Sequence, residues 1–148
     1  MAPSPAVTAN IVRLEREIAA SPEKVFEAFT RAATLSRWFA PGDDFGCTVH
    51  ELDVRPGGRY RVEMRPPNGE VHIVSGAYEA VERPKRLVFS WAWEDKPADG
   101  VSRVTVLIEP GGRGTKLALI HEQLPTAEAR EAHSKGWTGC LDRLARAL

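Results

Sequence analysis

The sequence predicts an α+β domain in which a curved antiparallel sheet of about seven strands wraps around a long C-terminal helix. Three observations lead to this prediction. The hydrophobic period changes from helical to alternating near Phe45, turn signals divide residues 46–122 into short segments, and the residues after Thr126 carry one apolar stripe. A sheet with one dry face needs a cover, and the final helix is the only predicted element long enough to provide it.

Composition places the chain among ordinary globular domains and excludes two classes of partner. The 148 residues carry 20 Lys+Arg and 20 Asp+Glu, so the formal net charge is zero. Nucleic-acid binding requires a basic excess on one face, which is absent. No apolar run approaches the roughly 20 residues of a membrane span.

The first residues and the cysteines indicate a reducing compartment. Residues 1–10 lack the charged region followed by an apolar stretch that marks a secretory signal. We therefore expect a cytoplasmic protein in which Cys47 and Cys140 are free thiols.

The first part of the chain predicts a strand and two short helices. Residues 1–9, rich in Pro, Ala and Ser, read as a disordered lead, and residues 10–148 as a single domain. Approximate alternation over residues 11–18 indicates a strand. Ser21-Pro22-Glu23 begins a helix, because Ser caps free amides and Pro suits the first helical position. A second short helix is expected around residues 34–38.

The central part predicts six strands, near residues 46–53, 58–65, 70–81, 86–94, 101–109 and 114–122. Asn68-Gly69 is the strongest hairpin signal, because it readily supplies positive φ. Gly111-Gly112-Arg113-Gly114 joins two predicted strands and reads as a turn rather than a phosphate-binding loop. Alternating residues form dry rows on one face of the sheet: Tyr60, Val62 and Met64; Leu87, Phe89, Trp91 and Trp93; Val104, Val106 and Ile108; Leu117, Leu119 and His121.

The final helix is predicted from Thr126, its cap, to Leu148. Its apolar stripe recurs at spacings of three and four residues and comprises His133, Trp137, Cys140, Leu141, Leu144 and Leu148. This stripe should face the dry rows of the sheet. Gly136, beside Trp137, is expected to let the helix approach the sheet closely.

A set of short motifs gives the chain a family resemblance from about Ile11 to Leu148. The motifs, in order, are Ser21-Pro22-Glu23-Lys24-Val25-Phe26, Trp38-Phe39-Ala40-Pro41, Asp53-Val54-Arg55-Pro56-Gly57-Gly58, Gly76-Ala77-Tyr78, Pro84-Lys85-Arg86-Leu87-Val88-Phe89-Ser90-Trp91, Val104-Thr105-Val106, Gly114-Thr115-Lys116-Leu117 and His133-Ser134-Lys135-Gly136-Trp137. In this order they resemble the helix-grip (START-like, SRPBCC) superfamily of birch-pollen-allergen-like proteins, START lipid carriers and polyketide cyclases. Within it, the chain is similar to the branch of activators of heat-shock-protein-90 ATPase.

The resemblance implies a helix-grip fold and, in some members, a bound hydrophobic ligand or a cyclisation or hydrolysis reaction. Eukaryotic co-chaperones of this branch carry an additional N-terminal chaperone-binding domain. The 148 residues leave no room for one, so a chaperone partner is not expected from the resemblance alone.

Aromatic side chains are the most informative candidates for a ligand site. Three of the four tryptophans lie on predicted inward faces, and aromatic rings stack on planar ligands while the indole N–H supplies one directional donor. We therefore predict a ligand cavity between the sheet and the last helix. Its expected lining is Trp38, Met64, Trp91, Trp93, His121, His133, Trp137, Cys140, Leu141 and Leu144.

Motifs for catalysis are mostly missing. There is no Cys-x-x-Cys and no His-Glu-x-x-His, so no metal site or cofactor is expected. His121 and His133 are the candidate acid/base residues, since both are predicted to face inward and to approach each other. Alternatively they are core-edge histidines bonded to backbone or water. His50 and His72 are taken as surface residues.

Three functions remain open at this point. The first is binding of a small hydrophobic or aromatic molecule without catalysis. The second is a cyclase-like or hydrolase-like enzyme that uses His121 or His133, with Glu122 or Arg130 nearby. The third is a protein–protein interaction, such as one with a chaperone, through the outer sheet face that carries Arg59, Arg61, Glu63 and Arg65. A homodimer is also compatible with a polar outer face and exposed strand edges.

Overall fold

The structure, a computed structural model, describes residues 7–8 and 11–148. Its strands are β1 (Val7–Thr8), β2 (Ile11–Ile18), β3 (Gly46–Leu52), β4 (Arg59–Arg65), β5 (His72–Glu82), β6 (Arg86–Trp93), β7 (Ser102–Gly111) and β8 (Gly114–Glu122). Its α-helices are α1 (Pro22–Thr30), α2 (Ala32–Trp38) and α3 (Ala127–Ala147), and a short 3-10 helix spans Pro97–Asp99.

The strands form one antiparallel sheet in the order β1-β2-β8-β7-β6-β5-β4-β3. The first long strand therefore pairs with the last one, and β3 lies at the opposite edge. Helices α1 and α2 connect these two sides. Register shifts at Val49/Glu51 and at Tyr78/Ala80 interrupt the ladders of β3 and β5. Such bulges bend a strand and increase its twist.

The predicted helix-grip fold is confirmed, with the seven expected strands, two short helices after the first long strand and a long C-terminal helix. The structure adds the two-residue strand β1, within the segment predicted as a disordered lead. The rest of that predicted lead, residues 1–6 and 9, lies outside the described residues. Helix α2 begins at Ala32, two positions before its predicted start.

The helix caps behave as their residue types require. The hydroxyl oxygen of Ser21 accepts the backbone N–H of Lys24 at 3.2 Å, and that of Thr126 accepts the N–H of Ala129 at 3.0 Å. Each bond satisfies one of the amides that a helix start leaves without a partner. The caps therefore fix where α1 and α3 begin.

The core lies between the sheet and the inner face of α3. The four predicted rows of the sheet are buried apart from Trp93, which is half-buried. From the helix side they meet Trp137, Cys140, Leu141 and Leu144, which belong to the same apolar cluster. Leu148, the last member of the predicted stripe, is instead 37% exposed. The stripe thus covers the sheet up to Leu144.

Candidate ligand-binding cavity

A cavity of about 550 Å³ opens beside the inner face of α3. Its apolar wall contains Trp91 and Trp93 from β6, Trp137 and Cys140 from α3, and Met64 from β4. Its rim is formed by three segments: the β4–β5 hairpin, the loop after β6 and the first turn of α3. The volume is in the range of about 300–1,000 Å³ that is typical of small-molecule sites.

The structure separates the predicted lining residues into two groups. Met64, Trp91, Trp93, His133, Trp137 and Cys140 line the cavity. The other predicted residues, Trp38, His121, Leu141 and Leu144, are fully buried in the core and are not part of its wall. The prediction of inward-facing positions therefore holds, but inward-facing does not always mean cavity-lining, because most inner positions fill the core.

Trp38 is a packing residue. Its indole N–H donates to the carbonyl oxygen of Ala28 at 3.0 Å, which joins α2 to α1. Its ring meets Phe29 and Phe39 edge-to-face, with centroids 4.8 and 5.5 Å apart. The side chain has no exposed surface, and its one donor is used. The expectation that Trp38 bounds the cavity is not met.

His121 sits below the cavity in a fully bonded network. Nδ1 accepts the indole N–H of Trp137 at 3.1 Å, and Nε2 lies 2.7 Å from the hydroxyl oxygen of Ser102. An indole nitrogen only donates, so Nδ1 must be unprotonated and the ring proton of neutral His121 must be on Nε2. Nε2–H then donates to Ser102, whose hydroxyl donates to the carbonyl oxygen of Trp91 at 3.3 Å.

His133 is fixed in the opposite tautomer by the same reasoning. Nε2 accepts the indole N–H of Trp93 at 3.0 Å, so the proton of the neutral ring is on Nδ1. Nδ1–H donates to the carbonyl oxygen of Ala129, one turn earlier in α3, at 2.7 Å. As predicted, the two histidines approach each other, with ring centroids 4.8 Å apart.

Burial keeps both histidines neutral. It lowers the pKa of His121 to about 3, with a further contribution from His133. Burial also lowers the pKa of His133, against the opposing effect of its bond to Ala129. A general base needs a free lone pair, and in both rings the unprotonated nitrogen already accepts an indole N–H. The histidines thus serve as acceptors that orient Trp137 and Trp93.

Trp91 differs from the other three tryptophans. Its Nε1 is buried and has no hydrogen-bond partner in the described part of the chain. The ring itself lies at the centre of the aromatic cluster, with centroids 5.0 Å from Trp137 and 5.4 Å from Trp93. A buried donor without a partner costs roughly 1–3 kcal/mol. Periodicity indicates that Trp91 faces inward, but not that its N–H is left without an acceptor.

His72 and His50, both taken as surface residues from the sequence, have different surroundings. It lines the cavity near the rim, and its Nδ1 lies 2.9 Å from Oδ2 of Asp95. Burial is the largest single influence on the pKa of Asp95 and raises it, but the hydrogen bond from His72, a backbone hydrogen bond and the nearby charges of His72 and Lys96 together outweigh burial, so the net shift of the pKa is downward. His50, in contrast, is exposed, and its Nε2 lies 2.8 Å from Oε1 of Glu63. His50 therefore lies on the surface, as expected, whereas His72 is partly exposed at the cavity rim.

The rim carries an excess of negative charge. Four carboxylates and one ammonium group line it, namely Glu70, Asp95, Asp99, Glu128 and Lys96. Glu70 follows the β4–β5 turn, where its backbone N–H bonds to Asn68 at 2.9 Å. These residues lie in loops and at a helix start, where there is no periodicity to indicate which way they face. They could not be singled out from the sequence.

Two glycines of α3 have opposite surroundings. A Cβ at Gly136 would meet no atom within 4 Å, and Gly136 lines the cavity. A Cβ at Gly139 would collide with the backbone of Pro41. Close approach therefore occurs at Gly139, against the segment after α2, and the expected role of Gly136 in close packing is wrong. Gly136 instead leaves open space.

The remaining candidates for chemistry are bonded elsewhere. Glu122 pairs with Arg103 at 3.5 Å, and Arg130 donates to the carbonyl oxygen of Leu124 at 2.9 Å. Burial raises the pKa of Cys47 to about 11 and that of Cys140 to about 12, so both remain thiols near neutral pH. Among the described residues, no group of three His, Cys, Asp or Glu side chains converges to hold a metal ion.

Comparison with known proteins identifies the family. The family model described as activator of Hsp90 ATPase homolog 1-like protein matches residues 19–148. The chain belongs to this family. The resemblance carried by the short motifs is therefore confirmed over nearly the whole domain. No curated protein sequence is significantly similar to the chain.

Several solved protein structures share the fold of this chain. A protein from Chromobacterium violaceum is 31% identical, with a TM-score of 0.86 over 94% of this chain and 96% of its own. The AHSA1 protein from Silicibacter pomeroyi is 32% identical, with a TM-score of 0.81 over 92% and 95%. A protein from Rhodobacter sphaeroides is 27% identical, with a TM-score of 0.79 over 94% and 92%. In the part of the chain that the structure describes, no helix is long and apolar enough to span a membrane.

Proposed function

We propose that this family member binds a small, largely apolar aromatic molecule in the cavity between the sheet and α3, without catalysing a reaction on it. The observation that carries the proposal is the cavity of about 550 Å³ walled by the rings of Trp91, Trp93 and Trp137. Aromatic pairs add about 0.5–1.5 kcal/mol each beyond the burial of their area. A planar ligand can form several such pairs here.

The bonding of the histidines favours binding over catalysis. His121 and His133 use their unprotonated nitrogens to accept indole N–H groups, and burial disfavours their charged forms. Neither ring can accept a proton from a ligand without first losing the hydrogen bond that it accepts from a tryptophan indole. This supports the choice of a binding module over the acid/base enzyme that the sequence leaves open.

The charges of the outer sheet face are largely paired within the chain. Arg61 binds Glu94 through bonds of 3.0 to 3.2 Å, and Arg65 lies 2.7 Å from Glu63. Charges that already neutralise each other offer less attraction to a charged partner surface. The cavity is therefore a better basis for function than the chaperone contact suggested by the family description.

A cavity-filling variant provides the test. Gly136→Leu places a side chain into open space beside Trp137, so it should block the cavity without displacing the helix. Gly136→Ala is the matched control, because it changes helix propensity in the same direction but adds only a methyl group. Calorimetric titration with benzophenone and diphenylmethane, two neutral aromatic probes, measures the dissociation constants.

The expected result is binding of at least one probe to the wild-type chain and to Gly136→Ala, and binding weakened roughly tenfold or more in Gly136→Leu, equivalent to about 1.4 kcal/mol. Circular dichroism confirms that the variants are folded. If neither probe binds the wild-type chain, or if Gly136→Leu binds both as tightly as Gly136→Ala does, the proposal is wrong.

A further inference from the structure

We propose that the indole N–H of Trp91 is the hydrogen-bond donor that recognises the ligand, and that the ligand is a neutral aromatic compound carrying a carbonyl or ether oxygen. This inference rests on the proposed function and specifies its ligand class. It assigns one atom, Nε1 of Trp91, to the recognition of one acceptor atom of the ligand. The other aromatic groups of the wall supply stacking without direct hydrogen bonds.

The first support is the contrast among the four indole groups. Trp38 donates to a backbone carbonyl, Trp93 to His133 and Trp137 to His121. The N–H of Trp91 has no acceptor in the described residues, although the ring is only 4% exposed and lines the cavity. Buried donors are nearly always satisfied, so an exception at a cavity wall indicates an acceptor that the protein itself does not provide.

The second support is that the nearby acceptors are already occupied. The rings of His121 and His133 lie 5.4 and 6.3 Å from that of Trp91, centroid to centroid. Both unprotonated ring nitrogens accept other indole groups. The carbonyl oxygen of Trp91 accepts the Ser102 hydroxyl. Each of these nearby acceptors thus already has a donor, and the N–H of Trp91 is left without an acceptor among the described residues.

The ligand must uncover this donor when it binds. Nε1 is covered by protein atoms, so a wall side chain has to shift before an oxygen atom can reach it. Met64 belongs to the same wall, and its unbranched thioether changes rotamer at little cost. An aromatic compound that enters between the rings and displaces such a side chain brings its oxygen to the N–H.

The rim restricts the charge of the ligand. Carboxylates of Glu70, Asp95, Asp99 and Glu128 outnumber the ammonium group of Lys96. The rim carboxylates repel an anionic ligand. The apolar wall behind the rim also makes it costly to bury a charged group there. An uncharged oxygen acceptor satisfies the Trp91 donor without bringing a negative charge past the rim.

Two probes of similar shape test the assignment. Benzophenone carries a carbonyl oxygen between two phenyl rings, and diphenylmethane has a methylene group at the same place. Trp91→Phe removes the N–H but keeps an aromatic ring. Trp93→Phe is the control, because the Trp93 donor is already used by His133. Dissociation constants are measured by calorimetry for both probes with all three proteins.

We expect Trp91→Phe to weaken benzophenone binding roughly tenfold more than diphenylmethane binding, which is the effect of losing one buried hydrogen bond. Trp93→Phe should change both constants by the same factor. Equal effects of Trp91→Phe on the two probes would overturn the assignment while leaving the proposed function intact. Failure of both probes to bind the wild-type chain would overturn both.

NMR of the wild-type chain gives an independent answer if Trp91→Phe does not fold. The four tryptophans each give one indole N–H resonance. Benzophenone should move the Trp91 indole proton downfield, as hydrogen bonding does, and diphenylmethane should not. A Trp91 indole shift that is the same with both probes would contradict the assignment. A carboxylated benzophenone should bind more weakly than benzophenone, and tighter binding would contradict the requirement for a neutral ligand.

Discussion

Trp137 donates its indole N–H to Nδ1 of His121 across 3.1 Å, and this bond joins α3 to β8 inside the core. It explains why a histidine occupies the last inward position of a row of leucines. The imidazole accepts a hydrogen bond from Trp137 of α3 at Nδ1 and donates one from Nε2–H to the hydroxyl of Ser102 in β7. One neutral ring thereby ties two neighbouring strands to the helix.

The neutrality of His121 predicts a loss of stability in mild acid. Burial lowers its pKa from 6.5 to about 3, so between these values the unfolded chain binds a proton that the folded chain does not. The stability that neutral His121 contributes to the folded state is fully present above about pH 6.5 and is lost progressively as the pH falls toward 3. At roughly 1.4 kcal/mol per pH unit, the free energy of unfolding should fall by about 2 kcal/mol between about pH 7 and pH 5.

Urea denaturation of the wild-type chain and of His121→Gln measures this effect. Glutamine can still accept the Trp137 N–H but does not titrate, so the variant should lose less stability over the same pH interval. Identical pH dependence in the two proteins would show that His121 is not the group responsible.

Trp137 and Trp91 are similarly buried and should respond differently to the same substitution. Trp137→Phe removes the donor and leaves the buried Nδ1 of His121 without a partner, whereas Trp91→Phe removes a donor that has none in the described residues. We expect Trp137→Phe to destabilise the fold by about 1–3 kcal/mol more than Trp91→Phe. Chemical denaturation measures both, and a Trp91→Phe loss as large as that of Trp137→Phe would contradict the proposed bonding.

The two glycines of α3 make a second matched pair. Gly136→Ala should stabilise the protein by about 1 kcal/mol, because alanine favours the helix and the added Cβ meets open space. Gly139→Ala should destabilise it by about 1–3 kcal/mol, because its Cβ collides with the Pro41 carbonyl. Melting temperatures of the two variants should therefore move in opposite directions, and shifts of the same sign would refute the assignment.

Arg143 anchors α3 to the end of α2. Its guanidinium donates to the carbonyl oxygens of Arg37 at 3.0 Å and Ala40 at 3.4 Å and pairs with Asp43, and its side chain is only 16% exposed. Arg143→Leu should cost about 1–3 kcal/mol of unfolding free energy, since it leaves these acceptors without their donor. Arg146→Leu removes a more exposed partner of Asp43 and should cost less than about 1 kcal/mol. Equal losses would contradict an anchoring role.

Much of the fold could be predicted because local physics is strong at the relevant positions. Ser21 and Thr126 cap their helices as their hydroxyls allow, and the alternation around Val62 and Val106 correctly indicates the buried face of the sheet. The residues that line the cavity were predicted in part. Trp91, Trp93 and Trp137 do line the cavity, but Trp38 fills the core instead.

The misplaced residues share a physical cause. Periodicity indicates the face on which a side chain lies, not how far the opposite layer stands from it. Gly136 and Gly139 are three residues apart in one helix, yet one faces open space and the other touches Pro41. His72 and Asp95 meet only because the start of β5 lies beside the end of its antiparallel neighbour β6. Such relations depend on how the layers are spaced.

The order of the elements, their caps and turns, the dry face of the sheet and the helix that covers it could all be predicted from the amino-acid sequence, because they follow from interactions between residues close in the chain. Tertiary packing, in contrast, decides which inward residues border empty space, which histidine nitrogens accept an indole N–H, and which indole has no acceptor among the described residues. Those properties depend on pairs far apart in sequence, such as His121 with Trp137 and Trp93 with His133, which packing alone brings together.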